Sequence, residues 1–141
     1  MFSFYGTKRS LAERYPTPQY GRIIEPFAGA AGYVMLYPEN EVILIDKDHE
    51  IVALWKYLQQ ASERDILSLP DLTPGQRVSS FRSLIAPEAD LLGRFASANS
   101  AHAKDTVQER GAKAWQAAKP RIAASVSLVR HWTIMEGDYF D

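Results

Sequence analysis

Arg22-Ile23-Ile24-Glu25-Pro26-Phe27-Ala28-Gly29-Ala30-Ala31-Gly32 and, shortly after it, Val42-Ile43-Leu44-Ile45-Asp46-Lys47-Asp48 are the stretches whose reading decides the fold. Arg22 to Ile24 is a short β-prone run. It stops at Glu25-Pro26, because Pro26 has no N–H to give to a ladder. Val42 to Ile45 is continuous, apolar and rich in β-branched residues, the pattern of a strand covered on both faces. Between the two, small residues lead from a strand towards a short helix. Beyond Asp46, the residues Ile51, Val52, Leu54, Trp55 and Leu58 recur at helical spacing behind Asp48, whose carboxylate suits a helix N-cap. Strand, glycine-containing loop, short helix, strand, acid, helix is the opening of a parallel α/β sheet.

Outward from this opening, residues 1–61 form the α/β portion, and residues 62–132 read as a helical insertion without a convincing strand. Pro70, Pro74-Gly75 and Pro87 divide the insertion into short segments. Helices are expected over Ala89–Ala98 and Val107–Ala118, and a further one starting at Pro120, with Ile122, Val126 and Val129 on one face. The stretch from Ala96 to Lys104 has no large apolar anchor and reads as a mobile loop. Residues 133–141 supply a third strand, Thr133 to Tyr139, running into an acid. Trp55 and Trp132 read as core. Trp115 is divided between packing and a nucleic-acid face.

The 141 residues are enough for one domain with a core, and 46% hydrophobic against 23% charged composition is ordinary globular material. With no cysteine, disulfide frameworks, thiolate metal sites and cysteine nucleophiles are excluded, and a cytoplasmic compartment is compatible. No apolar run is long enough to span a membrane, and the start lacks the pattern of a signal peptide. His49, His102 and His131 have no paired metal-ligand spacing, so no metal is expected. The net charge of −1 conceals a partition. Nine Lys or Arg and four acids lie between Arg77 and His131, a net +5, which leaves −6 for the rest. A basic middle in an acidic frame suits either a phosphate-facing surface, with Arg94, Lys104 and Lys113 as candidate DNA contacts, or a solvated set of helix faces.

Small residues directly after a strand let a backbone turn approach a ligand closely. Asp46 ends the next strand 17 residues after Gly29, near the offset at which an acid meets ribose hydroxyls in nucleoside-binding α/β folds. A helix N-terminal acid is the competing role for Asp46. The glycine loop has no basic residue and the chain has no Gly-Lys-Ser/Thr run, which disfavours a phosphate-heavy ligand. A ligand carrying a carboxylate and an amine fits better, and S-adenosylmethionine meets those terms. Its carboxylate would fall to the Gly29 amide and Lys8, its ammonium or ribose to Glu25 or Asp46, and its adenine amino group to Asp138, for which a turn role beside Gly137 is the alternative.

Phe4-Tyr5-Gly6-Thr7-Lys8-Arg9, Ile24 to Tyr33, Ile45-Asp46-Lys47-Asp48, Arg130-His131-Trp132 and Glu136-Gly137-Asp138-Tyr139, in this order, resemble the amino-terminal part of Dam-type adenine-specific DNA methyltransferases, particularly phage-borne ones. The resemblance implies a partial Rossmann-like, S-adenosylmethionine-dependent methyltransferase sheet with an inserted helical target-recognition region, acting on the N6 amine of adenine in double-stranded DNA. It implies cofactor roles for Tyr5 and Lys8, for the loop Glu25, Pro26, Phe27, Ala28 and Gly29, for Asp46 at the ribose, and for Asp138 and Tyr139 at the adenine edge. Gly6-Thr7-Lys8 departs from the family's Gly-Gly-Lys but keeps the lysine. The larger departure is that the family's Asp-Pro-Pro-Tyr motif, which orients and stacks a flipped base, does not occur in the 141 residues. The expectation is therefore a truncated methyltransferase inactive alone, with no catalytic residue assigned. The alternatives are a non-catalytic S-adenosylmethionine- or DNA-binding protein, or half of a split enzyme completed by a chain carrying that motif.

Overall fold

The computed structural model describes residues 15–26, 28–29, 31–97 and 102–138. Within them the chain is mixed α/β, built on a three-stranded parallel sheet of β1 (Arg22–Pro26), β2 (Glu41–Asp46) and β3 (Thr133–Glu136) in the order β1-β2-β3. Register pairs Ile23 with Val42, Ile24 with Ile43, Leu44 with Ile134 and Ile45 with Met135. Side chains alternate across a strand, so Ile23, Val42, Leu44 and Ile134 share one face. That face is the packed one. The opposite face carries Ile24, Ile43, Ile45 and Met135, where Ile24 is 53% and Met135 49% exposed. The expectation that β2 is fully covered on both faces is thus corrected: Val42 and Leu44 are buried, while Ile43 and Ile45 are only half-buried.

Helix α1 (His49–Gln60) closes the packed face. Asp48 caps it by accepting from the Glu50 N–H at 2.9 Å, and Ile51, Val52, Leu54, Trp55 and Leu58 form its buried stripe, as their spacing predicts. Its other end is tied to the crossover that delivers β3. The Arg130 guanidinium donates to the carbonyls of Gln59 and Ala61 at 2.9 and 2.7 Å, satisfying acceptors left open at a helix C-terminus. In return the Gln59 side-chain amide donates to the Trp132 carbonyl. Arg130, counted in the basic segment, is therefore a helix-terminus lock.

Residues 62–132 add α2 (Glu63–Leu67), α3 (Ala86–Ala96) and α4 (Glu109–Ser125), followed by a 3-10 turn over Val126–Val129. Ser62 and Asp65 exchange backbone and side-chain hydrogen bonds as a capping box, and this holds the Asp65 carboxyl below its ordinary range. An antiparallel bridge pairs Arg77 with Thr106. Beside it the Asp105 carboxylate accepts from the Ser79 N–H at 2.8 Å and the Ser79 hydroxyl at 3.0 Å. Of the Ala96–Lys104 stretch expected to be a loop, residues 98–101 lie outside the described residues. Ala96 is a buried residue of α3, and the Lys104 N–H donates to the Gly93 carbonyl at 2.9 Å.

Several boundaries differ from expectation: α3 starts at Ala86 and ends at Ala96 rather than spanning Ala89–Ala98, α4 starts at Glu109 rather than Val107, and β3 ends at Glu136. Pro120 does not start a helix but lies inside α4, which runs unbroken across the break expected after Ala118. A proline there forfeits the hydrogen bond to the Gln116 carbonyl. Both residues face solvent, where water takes the freed acceptor, while Trp115, Ala118, Ile122 and Ala123 continue one buried stripe. Burial of that stripe outweighs the local rule. Trp115 is fully buried against Phe95, with its N–H on the Pro70 carbonyl at 2.9 Å, so its role is packing.

The buried cluster is continuous from Ile23 in β1 through α1 to Trp115 and Ile122 in α4. Helices α3 and α4 approach closely at Gly111, where a Cβ would overlap the carbonyl oxygens of Phe95 and Ala96. Gly111→Ala is expected to lower unfolding free energy by about 1–3 kcal/mol, measured by urea denaturation, because backbone atoms must move. Gly21→Ala, which meets nothing within contact distance, is the control expected to change little.

Candidate functional site

Parallel strands bring their carboxyl ends to one edge of a sheet, and that is where open α/β sheets bind ligands. Here the edge gathers Glu25, Pro26, Ala28 and Gly29 from the end of β1, Asp46 from β2, and Glu136, Gly137 and Asp138 from β3. The backbone joins them directly. The Ala28 N–H donates to the Ile45 carbonyl at 3.0 Å, and the Gly137 N–H donates to the Asp46 carbonyl at 2.9 Å. Glu25, Asp46 and Asp138 are each half-buried, so their carboxylates are neither lost in the core nor fully in water.

Asp46 organises the centre of this mouth. One carboxylate oxygen accepts from the Gly29 N–H at 3.0 Å and the other from the Asp48 N–H at 2.8 Å. Of the two roles weighed for Asp46, these bonds bear on the one at the helix entry, and they add one that was not expected: Asp46 also holds the glycine turn. The turn is tight: Gly29 has φ of 48° and Ala31 φ of 54°. The second is notable, since a non-glycine residue in the left-handed region stores strain of about 1 kcal/mol or more and clusters at functional sites. Ala31 is held there by burial, by its N–H on the Ala28 carbonyl at 2.7 Å, and by accepting from the Met35 N–H at 3.1 Å.

These bonds correct one expectation. The N–H groups of Ala28, Gly29 and Ala31 are all engaged within the protein, so the Gly29 amide does not stand ready for a ligand carboxylate. The side chains of the mouth carry the polar chemistry instead. Glu25, Asp46, Asp48, Glu136 and Asp138 make the described part of the mouth acidic, with Lys47 the neighbouring cation. At the rim, the His49 ring nitrogen Nδ1 lies 2.9 Å from Glu136 Oε1. Tyr33 donates to the Pro16 carbonyl at 2.7 Å and packs against Tyr15 and Tyr37. Burial pushes its phenol above the ordinary value, with Tyr37 and Glu25 adding to the shift. Tyr5, Lys8, Phe27 and Tyr139 lie outside the described residues.

Trp55 is the functional neighbour that sequence reasoning placed only in the core. Its indole N–H donates to the Gly29 carbonyl at 2.6 Å, and its ring lies 5.7 Å from that of Trp132, tilted by 36°. Helical spacing predicted the burial but carried no signal for the bond.

The candidate DNA residues separate. Lys104 and Lys113 are exposed, the second paired loosely with Glu109 at 3.3 Å, and a surface concavity of about 460 Å³ is lined by Gln108, Glu109, Arg110 and Lys113. Arg94 is different: it is 1% exposed, with Nε on Asp90 Oδ2 at 3.0 Å and Nη2 3.9 Å from Glu50 Oε2. Its assignment to a phosphate face is corrected, because the guanidinium turns inward to bridge α3 to the start of α1. Among the described residues no cluster of three or more potential ligands could hold a metal ion, and no helix is long and apolar enough to cross a membrane.

Comparison with protein-family models, curated proteins and solved structures finds no match for this chain. The geometry of the mouth is directly testable. In Asp46→Ala the Gly29 amide loses a charge-assisted acceptor, a bond worth about 1.5–3 kcal/mol. Hydrogen exchange of that amide is expected to accelerate by roughly tenfold or more, while the Ala28 amide, held by Ile45, changes little.

Proposed function

We propose that this chain is the cofactor-binding and DNA-facing part of a Dam-type adenine N6-methyltransferase. In this reading its small parallel sheet is one side of a Rossmann-like fold, and S-adenosylmethionine occupies the mouth at the strand ends. The observation that carries the proposal is the meeting of the glycine turn, Asp46 and Gly137-Asp138 at one sheet edge through direct hydrogen bonds. S-adenosylmethionine supplies an activated methyl group on a sulfonium. Asp46 has lone pairs beyond those given to Gly29 and Asp48, which accept from the ribose diol. Asp138 accepts from the adenine amine, and Glu25 faces the ammonium. With the turn amides engaged, the cofactor carboxylate falls to Lys8. Tyr5, Phe27 and Tyr139 keep the cofactor roles that the resemblance implies.

Double-stranded DNA is the proposed macromolecular substrate, met by the exposed Lys104 and Lys113. Orienting and stacking the target adenine requires an Asp-Pro-Pro-Tyr segment, which the proposal assigns to a segment or complementary chain other than these 141 residues. The competing reading, a binding protein without catalysis, shares the same cofactor mouth.

Calorimetry with S-adenosylhomocysteine and its 2′,3′-dideoxy analogue tests the cofactor reading. The natural diol is expected to bind about tenfold or more tightly than the analogue, and the gap to collapse in Asp46→Ala, because only a contact to the diol couples the two changes. An equal gap in both proteins would refute the ribose assignment. For DNA, affinity for duplex is expected to fall steeply with salt, and Lys104→Gln/Lys113→Gln to flatten the slope by up to about two units. A slope unchanged by the double substitution returns both lysines to an ordinary solvated surface.

A further inference from the structure

Gly29 is held on both sides by side chains. Asp46 accepts from its N–H at 3.0 Å, and Trp55 donates to its carbonyl at 2.6 Å. Two bonds of opposite sense on one residue fix the orientation of both peptide planes that meet at its Cα. Gly29 adopts its positive φ at little cost, while Ala31, two residues on, is the strained position of the same turn. The donor is itself immobilised: Trp55 is 1% exposed, its ring packs on Trp132, and the Trp132 N–H donates to the Pro38 carbonyl at 3.0 Å. Any buried indole N–H needs an acceptor, as those of Trp115 and Trp132 have, and what sets Trp55 apart is that its acceptor is the carbonyl of the turn residue that Asp46 holds from the other side.

We infer that Trp55 is a positioning residue for the mouth, acting through the Gly29 carbonyl on the buried glycine turn against which Asp46 is set. This inference rests on the reading of the mouth as a cofactor site. The indole N–H holds the turn against which Asp46 is set, so its removal is read in ligand affinity. Pre-organisation of this kind lowers the ordering cost of binding without contacting the ligand.

The test replaces only the N–H. Site-specific 3-benzothienylalanine at position 55 substitutes sulfur for the indole nitrogen and keeps the shape and burial of the ring. The same substitution at position 115 removes an indole N–H that serves Pro70, away from the turn, and is the control. S-adenosylhomocysteine is the calorimetric probe, and thermal denaturation is followed in parallel. The expected result is a three- to tenfold loss of affinity at position 55, none at position 115, and similar small changes in Tm for both, consistent with one buried hydrogen bond. Affinity at position 55 equal to wild type, with wild type binding, overturns the positioning role and leaves the cofactor reading standing. No binding by wild type overturns both. Trp55→Phe is the second variant should the benzothienyl protein fail to fold, and it is held to the same criterion against Trp115→Phe.

Discussion

Three parallel strands of four to six residues cannot bury themselves, and the packing of α1 across one face of the sheet is the constraint on which the rest depends. Ile51, Leu54, Trp55 and Leu58 have essentially no exposure, and they share one buried cluster with Ile23, Val42 and Leu44, against which Ile134 packs. Each such side chain contributes about 1.5–3 kcal/mol when fully buried, far more than any single hydrogen bond in the sheet. Once the stripe is seated, the axial position of α1 is fixed at both ends. Asp48 sets the start and Arg130 the finish. β3, more than 70 residues along the chain from α1, is recruited to the sheet by the same contacts, through Gln59 and Trp132.

The helical segment shares this anchor. Tyr57 of α1 donates to Glu88 of α3 at 2.9 Å, a bond that, with burial, pushes the phenol well above its ordinary value. Glu88 in turn accepts from the Ile85 N–H at the start of α3. Arg94 bridges the same two helices through Asp90 and Glu50. A buried guanidinium keeps its charge and is expensive to desolvate, so the pairing with Asp90 and Glu50 favours one docking of α3 over alternatives. The two exposed DNA candidates, Lys104 and Lys113, are therefore carried on a framework continuous with the sheet core.

What the residues disclose by themselves follows from the range of the forces involved. The strands, the Asp48 cap and the α1 stripe were legible because each depends on neighbours within a turn or a pleat. The approach of Gly29 to Asp46 was legible as a spacing, since two adjacent parallel strands carry their ends to one edge. Pro120 misled because the helix-breaking rule is local, whereas the stripe from Trp115 to Ala123 is rewarded only by tertiary contact. Arg94 misled because charge says nothing about facing. The carboxylate at i−4, Asp90, was the signal that a partner stood ready on the same helix. The Trp55 N–H had no signal at all, since its acceptor lies 26 residues away across the sheet.

The committed amides of the turn sharpen what this mouth accepts. A loop that cradles phosphate presents unengaged N–H groups and a lysine, while here Ala28, Gly29 and Ala31 donate internally and the facing side chains are carboxylates. Bringing one phosphate charge to about 4 Å from one such carboxylate costs about 4 kcal/mol at the effective dielectric of a protein surface. A nucleotide phosphate brought to Asp46 would face that repulsion. A ligand whose near groups are ribose hydroxyls, an amine and a cationic centre meets the same carboxylates as acceptors and counter-charges. At Asp46 the two effects coincide, because the carboxylate that takes up the Gly29 amide is the same group that presents negative charge at the mouth.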